Sequence, residues 1–582
     1  MPALPNQNSG VLSWGRAKLP ERVSVAVAVA AVLATGPDFE LDFTSGLWDP
    51  RVTHSRAGGA LQVHRDGVLD WGPENLFIRS TDLTNGAAWS TYGGGQSVVV
   101  ETLDGRHAVR LTPTGADGGL YQSTSLVAGQ SYTFSWLLDL ASWPSTLRVQ
   151  INHGGASWVD IDAAGTLTNL NALSASKVAI GVGKFRLAIT FVALNSGAAQ
   201  HFVFAGSGGN GSASFVVGTP RLQRGTHSYA DDDWRVQTTS AAVYAARLRY
   251  DPVTLACLGY LNEPQRTNLE VSANFAGASW NKILGATAVA SDVVGALQFY
   301  TVVTPPGGYL EPATNVSVTA GVAHTKSVFV LKGGGSVRIL CAAAGFAATS
   351  EATLDATAGT LSGASTSGAV TGASNVVKDY GVAWRVELTA TPTSATTWNL
   401  YVSSVTGTIK IAGPQGEAAS TASSYIPTAG SAATRSTDIA YVDVATHLPW
   451  LSMTNSTFYA EFIARDYRAS ERVLGTNQSP ASLLEIAWTN VIGAFDGAAS
   501  FGVTVPSALD VNLKAALALS SGSRAIAAGG VTGSAASNTM SAPTRIYIGS
   551  EAGTSRIFSG TIKSARVHSH TKPAAEMAQL TA

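Results

Sequence analysis

Ten histidines (His54, His64, His107, His153, His201, His227, His324, His447, His568 and His570) are scattered along the chain. None pair at the i, i+4 spacing with which a helix grips zinc. His568 and His570 fall two residues apart, on one face of a strand, and could share a metal; on the final strand they read as ordinary solvent-side residues. The run Asp231-Asp232-Asp233 reads as a solvated turn, with calcium the one ion its oxygens could serve and a glycosidic carboxylate pair the remaining alternative. Only Cys257 and Cys341 are present, too few for a disulfide framework or a thiolate zinc site. There is no Gly-x-Ser-x-Gly elbow, phosphate-cradling loop or dinucleotide fingerprint. Glu461 and Glu485 are the obvious carboxylates near apolar strands of the last segment, and nothing pairs them. No catalytic residue, no metal ligand and no cofactor other than calcium is expected.

Aromatic side chains offer a different chemistry. Sugar recognition needs ring faces against sugar C–H surfaces and a few polar groups that fix orientation. Tyr121, Trp143, His153 and Trp158 in one stretch, and Trp398 and Tyr401 in another, are candidates for it. Trp158 within GGASWVD and Trp143 beside Pro144 look most like loop or edge positions; core filling or a subunit contact is the competing reading of each.

The elements that would position these rings are strands. Gly, Ala, Ser, Thr and Val dominate, and β-branched residues with Gly-rich turns suit many short strands. Apolar residues make up 45% of the chain, which excludes disorder, and charged residues only 13%. With a net charge of −1 no basic stripe remains for nucleic acid or an anionic membrane. The 582 residues imply about four domains at roughly 150 residues each. Val23 to Ala34 (VSVAVAVAAVLA) is too short to span a bilayer; it reads as a strand or short helix packed on something, or as a secretion-signal core.

Alternating strands are expected at Tyr132–Leu138, Leu147–Asn152, Phe185–Phe191, His201–Phe204 and Ser214–Val217. The stretch then recurs: Asn75-Leu76 with Trp89 as Asn268-Leu269 with Trp280, Ala128-Gly129 as Ala320-Gly321, Phe185-Arg186 as Trp384-Arg385, and Ser228-Tyr229 as Ser424-Tyr425. Residues 71–229 and 268–430 are therefore expected to be two copies of one β-sandwich of jelly-roll type. Trp89, Trp280, Phe185 and Trp384, which recur in register, belong to the common core. Residues 38–70 and 230–267 form split connector β structure. Residues 431–582 form a third sandwich, with strands at Thr457–Phe462, Ala515–Leu519, Arg545–Ile548 and Gly560–Val567 and a short helix from Lys572. Residues 1–37 form an N-terminal anchoring segment. The fold class is all-β, tandem sandwiches.

Three stretches carry a family resemblance: Leu41-Asp42-Phe43-Thr44-Ser45-Gly46 with Asp49-Pro50-Arg51-Val52-Thr53 and Ser55-Arg56-Ala57; Arg249-Tyr250-Asp251-Pro252-Val253-Thr254 with Leu258 through Leu269 (LGYLNEPQRTNL); and Ser423-Ser424-Tyr425-Ile426-Pro427-Thr428 with Thr434-Arg435-Ser436-Thr437-Asp438. Together they resemble virion fibre and spike proteins of tailed bacteriophages and gene transfer agents, of the head-spike or tail-fibre type. The resemblance implies carbohydrate-binding-module-like sandwiches and a concanavalin- or laminin-G-like C-terminal domain. In such proteins the first two stretches usually lie close together, whereas here a sandwich copy separates them, as an insertion would.

By the same resemblance the chain would be a virion structural protein, assembled in a bacterial cytoplasm and exposed on the particle. It would adhere to host-cell surface polysaccharide and dock on a capsid vertex or a tail or baseplate protein. A homo-oligomer is expected, a trimer or alternatively a pentamer, with no nucleic acid and no membrane insertion. A glycan-cleaving enzyme with accessory sandwiches and a ligand-free structural adaptor or capsid decoration are the competing readings.

Overall fold

The computed structural model describes residues 37–582 apart from 94–95, 116, 173, 207–211, 227–237, 239–240, 395–396, 467–469, 479–480, 489, 497–499, 506–508, 537–539 and 554. The anchoring segment expected at 1–37 (but for residue 37), the apolar Val23–Ala34, Asp231–Asp233 and the Ser228-Tyr229 half of one repeat match lie outside the described residues. The fold is all-β, built of antiparallel sheets.

The first sandwich has a front sheet whose strands lie side by side in the order Leu167–Asn171, Ala156–Ile161, Leu147–Asn152, Gly197–Ala205, Gly119–Leu126, Ser90–Tyr92. Its back sheet runs Ser174–Gly181, Lys184–Val192, Ser131–Asp139, Phe215–Arg224, Arg106–Pro113, Gln96–Leu103. The second sandwich repeats both orders strand for strand. Its front sheet is Thr360–Gly368, Ala348–Asp355, Ser336–Ala342, Asn399–Thr406, Tyr309–Pro312, Trp280–Ile283, and its back sheet Val370–Asp379, Ala383–Pro392, His324–Leu331, Ile409–Glu417, Leu297–Val303, Thr287–Val294.

Period-two patterning decides which residues enter each core. Leu147–Asn152 (LRVQIN) buries Leu147, Val149 and Ile151 and turns Arg148, Gln150 and Asn152 outward. The inward residues join Phe134, Trp136, Leu187 and Ile189 of the back sheet in one core, and Val337, Ile339 and Cys341 join Val328, Val386 and Leu388 in the other. Trp89 and Trp280 are buried in matching places, as is Phe185, whereas Trp384 is half-buried under the Lys332 ammonium at 4.1 Å.

The copies also share hydrogen bonds. Asn75 donates to the Pro220 carbonyl and accepts from the amides of Phe77 and Leu222; Asn268 does the same with Pro414, Glu270 and Gly416. The hydroxyls of Thr133 and Thr190 meet at 3.1 Å, and those of Thr325 and Thr389 at 2.7 Å. Each device satisfies buried polar groups that would otherwise cost about 1–3 kcal/mol.

The third sandwich corrects the boundary drawn at 431. One of its sheets runs Leu248–Tyr250, Cys257–Asn262, Gly560–His568, Asn455–Ala464, Asn512–Ser520, Ser523–Ala528, Val531–Ala536, and Phe39–Asp42 also pairs with Gly560–His568. The other begins with Val52–Ser55 beside Ile439–Asp443 and continues through Arg545–Ile548, Glu471–Thr476, Ala481–Trp488, Val491–Asp496 and Ser500–Thr504. Both connectors therefore contribute strands to this sandwich, and Phe43, Trp48, Leu248 and Tyr260 sit in its core. Helix Ala574–Thr581 packs Met577 on the outer side of the first of these sheets, against Tyr459, Ala516 and Ala527.

The two copies are excursions from that body, and each is closed at its base by a two-stranded antiparallel ribbon. Glu74–Asn75 pairs with Val243–Tyr244, and Arg266–Asn268 pairs with Ala433–Arg435. Entry and exit strands side by side are what allow a domain to be inserted without disturbing its host.

The three sequence stretches converge on one buried knot of charge at this junction. Asp438 accepts from Arg56 at 2.8 Å, from Arg247 at 2.6 Å and from the Glu263 amide at 3.1 Å. The Glu263 carboxylate pairs with Arg247 at 2.7 Å and with Arg435, and accepts from the amide and hydroxyl of Ser424. All these side chains are buried. Arginines crowd Asp438 and Glu263 closely enough to hold both carboxyls well below the usual range although burial alone would raise them. The NEPQR and TRSTD stretches thus join modules rather than line a binding surface.

Candidate functional site

The front-sheet faces that point away from the cores carry the candidate site. On the second sandwich the outward positions of Ser336–Ala342, Ala348–Asp355, Asn399–Thr406 and Tyr309–Pro312 present Arg338, Leu340, Thr349, Glu351, Tyr309, Tyr401 and Ser403 to a cleft of about 590 Å³. Leu340, Ala342, Tyr401 and Tyr309 make an apolar floor separate from the core behind the sheet. Tyr401 lies 5.5 Å from Tyr309 and 5.1 Å from Phe346, centroid to centroid.

Phe346 is an exposed ring at the end of the short turn Ala344–Phe346, with φ +57°. A bulky residue in that left-handed region costs on the order of 1–3 kcal/mol, and such strain collects where a side chain must be aimed. Its amide donates to the Ala343 carbonyl at 3.0 Å, which fixes the turn and sets the ring beside Tyr401. The opposite wall is Thr304-Pro305-Pro306-Gly307-Gly308, tied to the sheet by bonds of about 3 Å between Thr304 and Ser404. At Gly308 a Cβ would sit 3.1 Å from both the Ile283 and Pro305 carbonyl oxygens, so the turn is tight. Arg338 donates through Nε to Glu351 Oε2 at 2.6 Å, and Ser365 donates to the other carboxylate oxygen at 2.9 Å. This fixes a planar donor and a planar acceptor beside three rings, the combination that sugar hydroxyls and C–H faces require.

The first sandwich presents the same face with different filling. Arg148 pairs with Asp160 through two bonds of 2.7 and 2.8 Å and lies 5.5 Å from the Trp158 ring. Val149 lies opposite Val203 and Ile339 opposite Val402, so Arg148 and Arg338 occupy one register position and Phe202 occupies that of Tyr401. Here Tyr92, Tyr121, Phe202 and Phe204 close on one another, with centroids 4.7 Å apart for Tyr92–Phe202 and 5.1 Å for Tyr121–Phe202. Gly119 opposite Phe204 makes room for that ring: a Cβ there would fall 2.4 Å from the Phe204 Cβ. In the second copy Leu310 opposite Val402 sets Tyr309 beside Ser403, so the large and small partners are exchanged.

Of the residues expected from sequence to bind glycan, the structure brings Tyr121 and Trp158 to the first front face and Tyr401 to the second. Three others are corrected. Trp143 is buried, its indole donating to the Thr146 carbonyl at 3.1 Å and its ring edge-on to Phe215, so the turn beside Pro144 folds it into the core. Trp398 is fully buried in the second core, because it precedes a strand whose inward positions it extends. His153 is buried, stacked on Phe191 at 5.1 Å, and accepts the Leu194 amide at Nδ1; burial lowers its pKa. Tyr309, Phe346, Arg338 and Glu351 were not singled out by sequence. The one available signal was the arginine at the second position of both LRVQIN and VRILCA.

Other polar candidates are absorbed by structure. Glu461 pairs with Lys563 at 2.7 Å and Glu485 with the buried Arg472, on different sheets of the third sandwich. His568 is buried rather than solvent-facing, and burial, with Lys572 and His570 nearby, pushes it down to about 4. Among the described residues no group of three or more His, Cys, Asp or Glu could hold a metal, and no helix is long and apolar enough to cross a membrane.

No family model and no curated protein matches the chain. Among solved structures it is similar to the tandem CBM22 domains at the N-terminus of Xyn10C from Paenibacillus barcinonensis, at 12% identity and TM-score 0.21 over 60% of this chain and 97% of that one. It is similar also to a putative carbohydrate-binding protein from Bacteroides ovatus, at 12% identity and TM-score 0.21 over 49% and 79% of the two chains. A third is the LG4-5 pair of the mouse laminin α1 chain, at 12% identity and TM-score 0.17 over 51% and 92%. Likeness at this level carries no argument; the strand pairing described above defines the fold.

Proposed function

We propose that the chain is a glycan-binding adhesin of a virion surface, a fibre or spike that holds a particle on host polysaccharide through its sandwich faces. One observation carries the binding part: the cleft bounded by Tyr309, Phe346 and Tyr401, with the Arg338–Glu351 pair at its side, on a sheet face that is duplicated in the chain. Two faces per chain, multiplied in a trimer or pentamer, turn weak single sites into firm adhesion by raising effective concentration. The action is binding, not bond cleavage.

The virion part is supported by the three sequence stretches and their resemblance. Residues 1–37 are proposed to dock on a capsid vertex or a tail or baseplate protein, and particle incorporation of a chain lacking them tests this; unimpaired incorporation rejects it. Solution mass of the full chain tests the oligomer, and a monomer rejects it. Binding of the full chain to host-envelope polysaccharides, compared with Phe346→Ala, tests the site. Capture of glycan that weakens in the variant supports the reading, and equal capture by both places the site elsewhere.

A further inference from the structure

A second cleft, of about 300 Å³, opens where the second sandwich, the connectors and the third sandwich meet. That volume is at the small end of the roughly 300–1,000 Å³ usual for small-molecule sites. Its walls are apolar and aromatic in part: Val63, Tyr250 and Tyr380, with Phe329 edge-on to Tyr380 at 5.3 Å.

The charges around it are unequally satisfied. Asp251 is engaged by the amides of Val253 and Thr254 at 2.9 and 2.7 Å. Asp379 is engaged by Lys332 at 2.7 Å and the Gly381 amide at 2.8 Å, and Lys378 by Glu387 at 3.1 Å. Asp510 stands exposed at the rim.

The two arginines are different. Half-buried Arg249 reaches only Thr561 Oγ1, at 3.3 Å, and among the described residues no carboxylate lies within ion-pair distance of it. Arg465 is 7% exposed, approaches Glu263 no closer than 3.6 Å, and has a buried Nε without a hydrogen-bond partner. Tyr380, Glu263, Asp510 and Glu387 outweigh burial to hold Arg465 above its usual value, so its charge is firmly kept. Its field shows in two neighbours. Burial and then Arg465 pull the Arg249 guanidinium down to about 10, and Arg385, Arg465 and Lys378 outweigh burial to bring the Tyr380 phenol below its usual value.

Two guanidinium groups with hydrogen-bonding capacity left over, beside aromatic walls, make a receptor for a planar anion carried on a ring. We propose that this cleft binds a carboxylate-bearing pyranose, a uronic acid residue, as a site separate from the front-sheet faces. The carboxylate would lie against Arg249 and Arg465, the ring against Tyr250 and Tyr380, with Asp510 at the rim to accept from hydroxyls. The proposal does not depend on the front-face reading.

The test is calorimetric titration of the full chain with sodium glucuronate and sodium galacturonate, alongside glucuronic acid methyl ester, glucose and acetate. The expected result is saturable binding of at least one uronate, with the ester, glucose and acetate each weaker by about tenfold or more, as loss of a charge-assisted contact or of the ring contacts produces. Arg249→Gln should abolish uronate binding, and Tyr401→Ala should leave it unchanged. No uronate binding, an ester or acetate as tight as the acid, or a loss that follows Tyr401 rather than Arg249 overturns the proposal. The acid-against-ester comparison on the unaltered chain decides the matter should Arg249→Gln fail to fold.

Discussion

Truncating Asp438 to alanine tests the joint on which the three modules depend. Its carboxylate is wholly buried and takes bonds from Arg56, Arg247 and the Glu263 amide at 2.8, 2.6 and 3.1 Å. Without it, Arg247 keeps Glu263 at 2.7 Å, but Arg56 keeps only the Gly58 carbonyl at 2.9 Å and no counter-charge. Leaving one member of a buried pair uncompensated costs about 3–5 kcal/mol. For a module of 150–250 residues each kcal/mol lowers Tm by roughly 2–4 °C, so the third-sandwich transition should fall by about 6–20 °C in scanning calorimetry. The first sandwich, whose core is separate, should melt where it did. Adding Arg56→Met removes the orphaned charge, and the double variant should recover part of the loss, a coupling the double-mutant cycle reads directly. A shift under about 2 °C, or strict additivity in the cycle, refutes the reasoning.

Trp143→Ala and Trp398→Ala should each destabilise by about 3–5 kcal/mol, because both rings fill cores, yet leave Tyr401-dependent glycan capture intact in the folded fraction; denaturant midpoints and a binding assay check this. His54, His201 and His568 are held by burial at about 4, 3 and 4 rather than 6.5. The unfolded chain therefore takes up protons that the folded chain refuses, and stability should fall as pH drops from 6.5 toward 4 by up to about 1.4 kcal/mol per pH unit for each histidine. Asp438 and Glu263 oppose no part of this: their folded values are depressed, so their stabilisation is intact above the unfolded carboxylate range and is lost, in the same direction, as pH falls below it. Urea midpoints that are flat from pH 7 to 5 contradict it. Residues 431–582 expressed alone should not fold, since they lack Phe39–Asp42, Val52–Ser55 and Cys257–Asn262, whereas joining Asn75 to Val243 by a short turn should excise the first sandwich cleanly; circular dichroism and calorimetry read both.

Strand alternation made the fold class and the duplication legible, because inward positions of LRVQIN and FRLAITF are set by a local period. The same locality explains what was missed. That residues 39–42 and 260–262 pair with a strand ending at His568, and 52–55 with Ile439–Asp443, is a matter of contacts hundreds of residues apart, and no short pattern announces them. Trp143 looked like a loop or edge ring because it stands between strands beside Pro144, yet it turns into the core, and Trp398, next to a strand, obeys that strand's inward phase. Tyr401, a candidate from sequence, lies on the outward front-sheet face, while Phe346 owes its position to one left-handed turn and Tyr309 to a strand paired only after folding. The three quoted stretches meet at the joint, where five buried charges hold the modules together.

The second front-sheet face is proposed to hold glycan through its rings. The most direct measurement of this is the affinity of the full chain for a panel of host-envelope polysaccharides, compared with Phe346→Ala and Tyr401→Ala. Each lost ring contact should weaken capture by about twofold to tenfold per site, more in a multivalent format; Phe346→Ala, at an exposed ring, should leave Tm within a few degrees, whereas Tyr401→Ala, at a ring only 6% exposed, should lower it further and is compared in the folded fraction. Full-strength capture by both folded variants, or no capture by the unaltered chain, contradicts it.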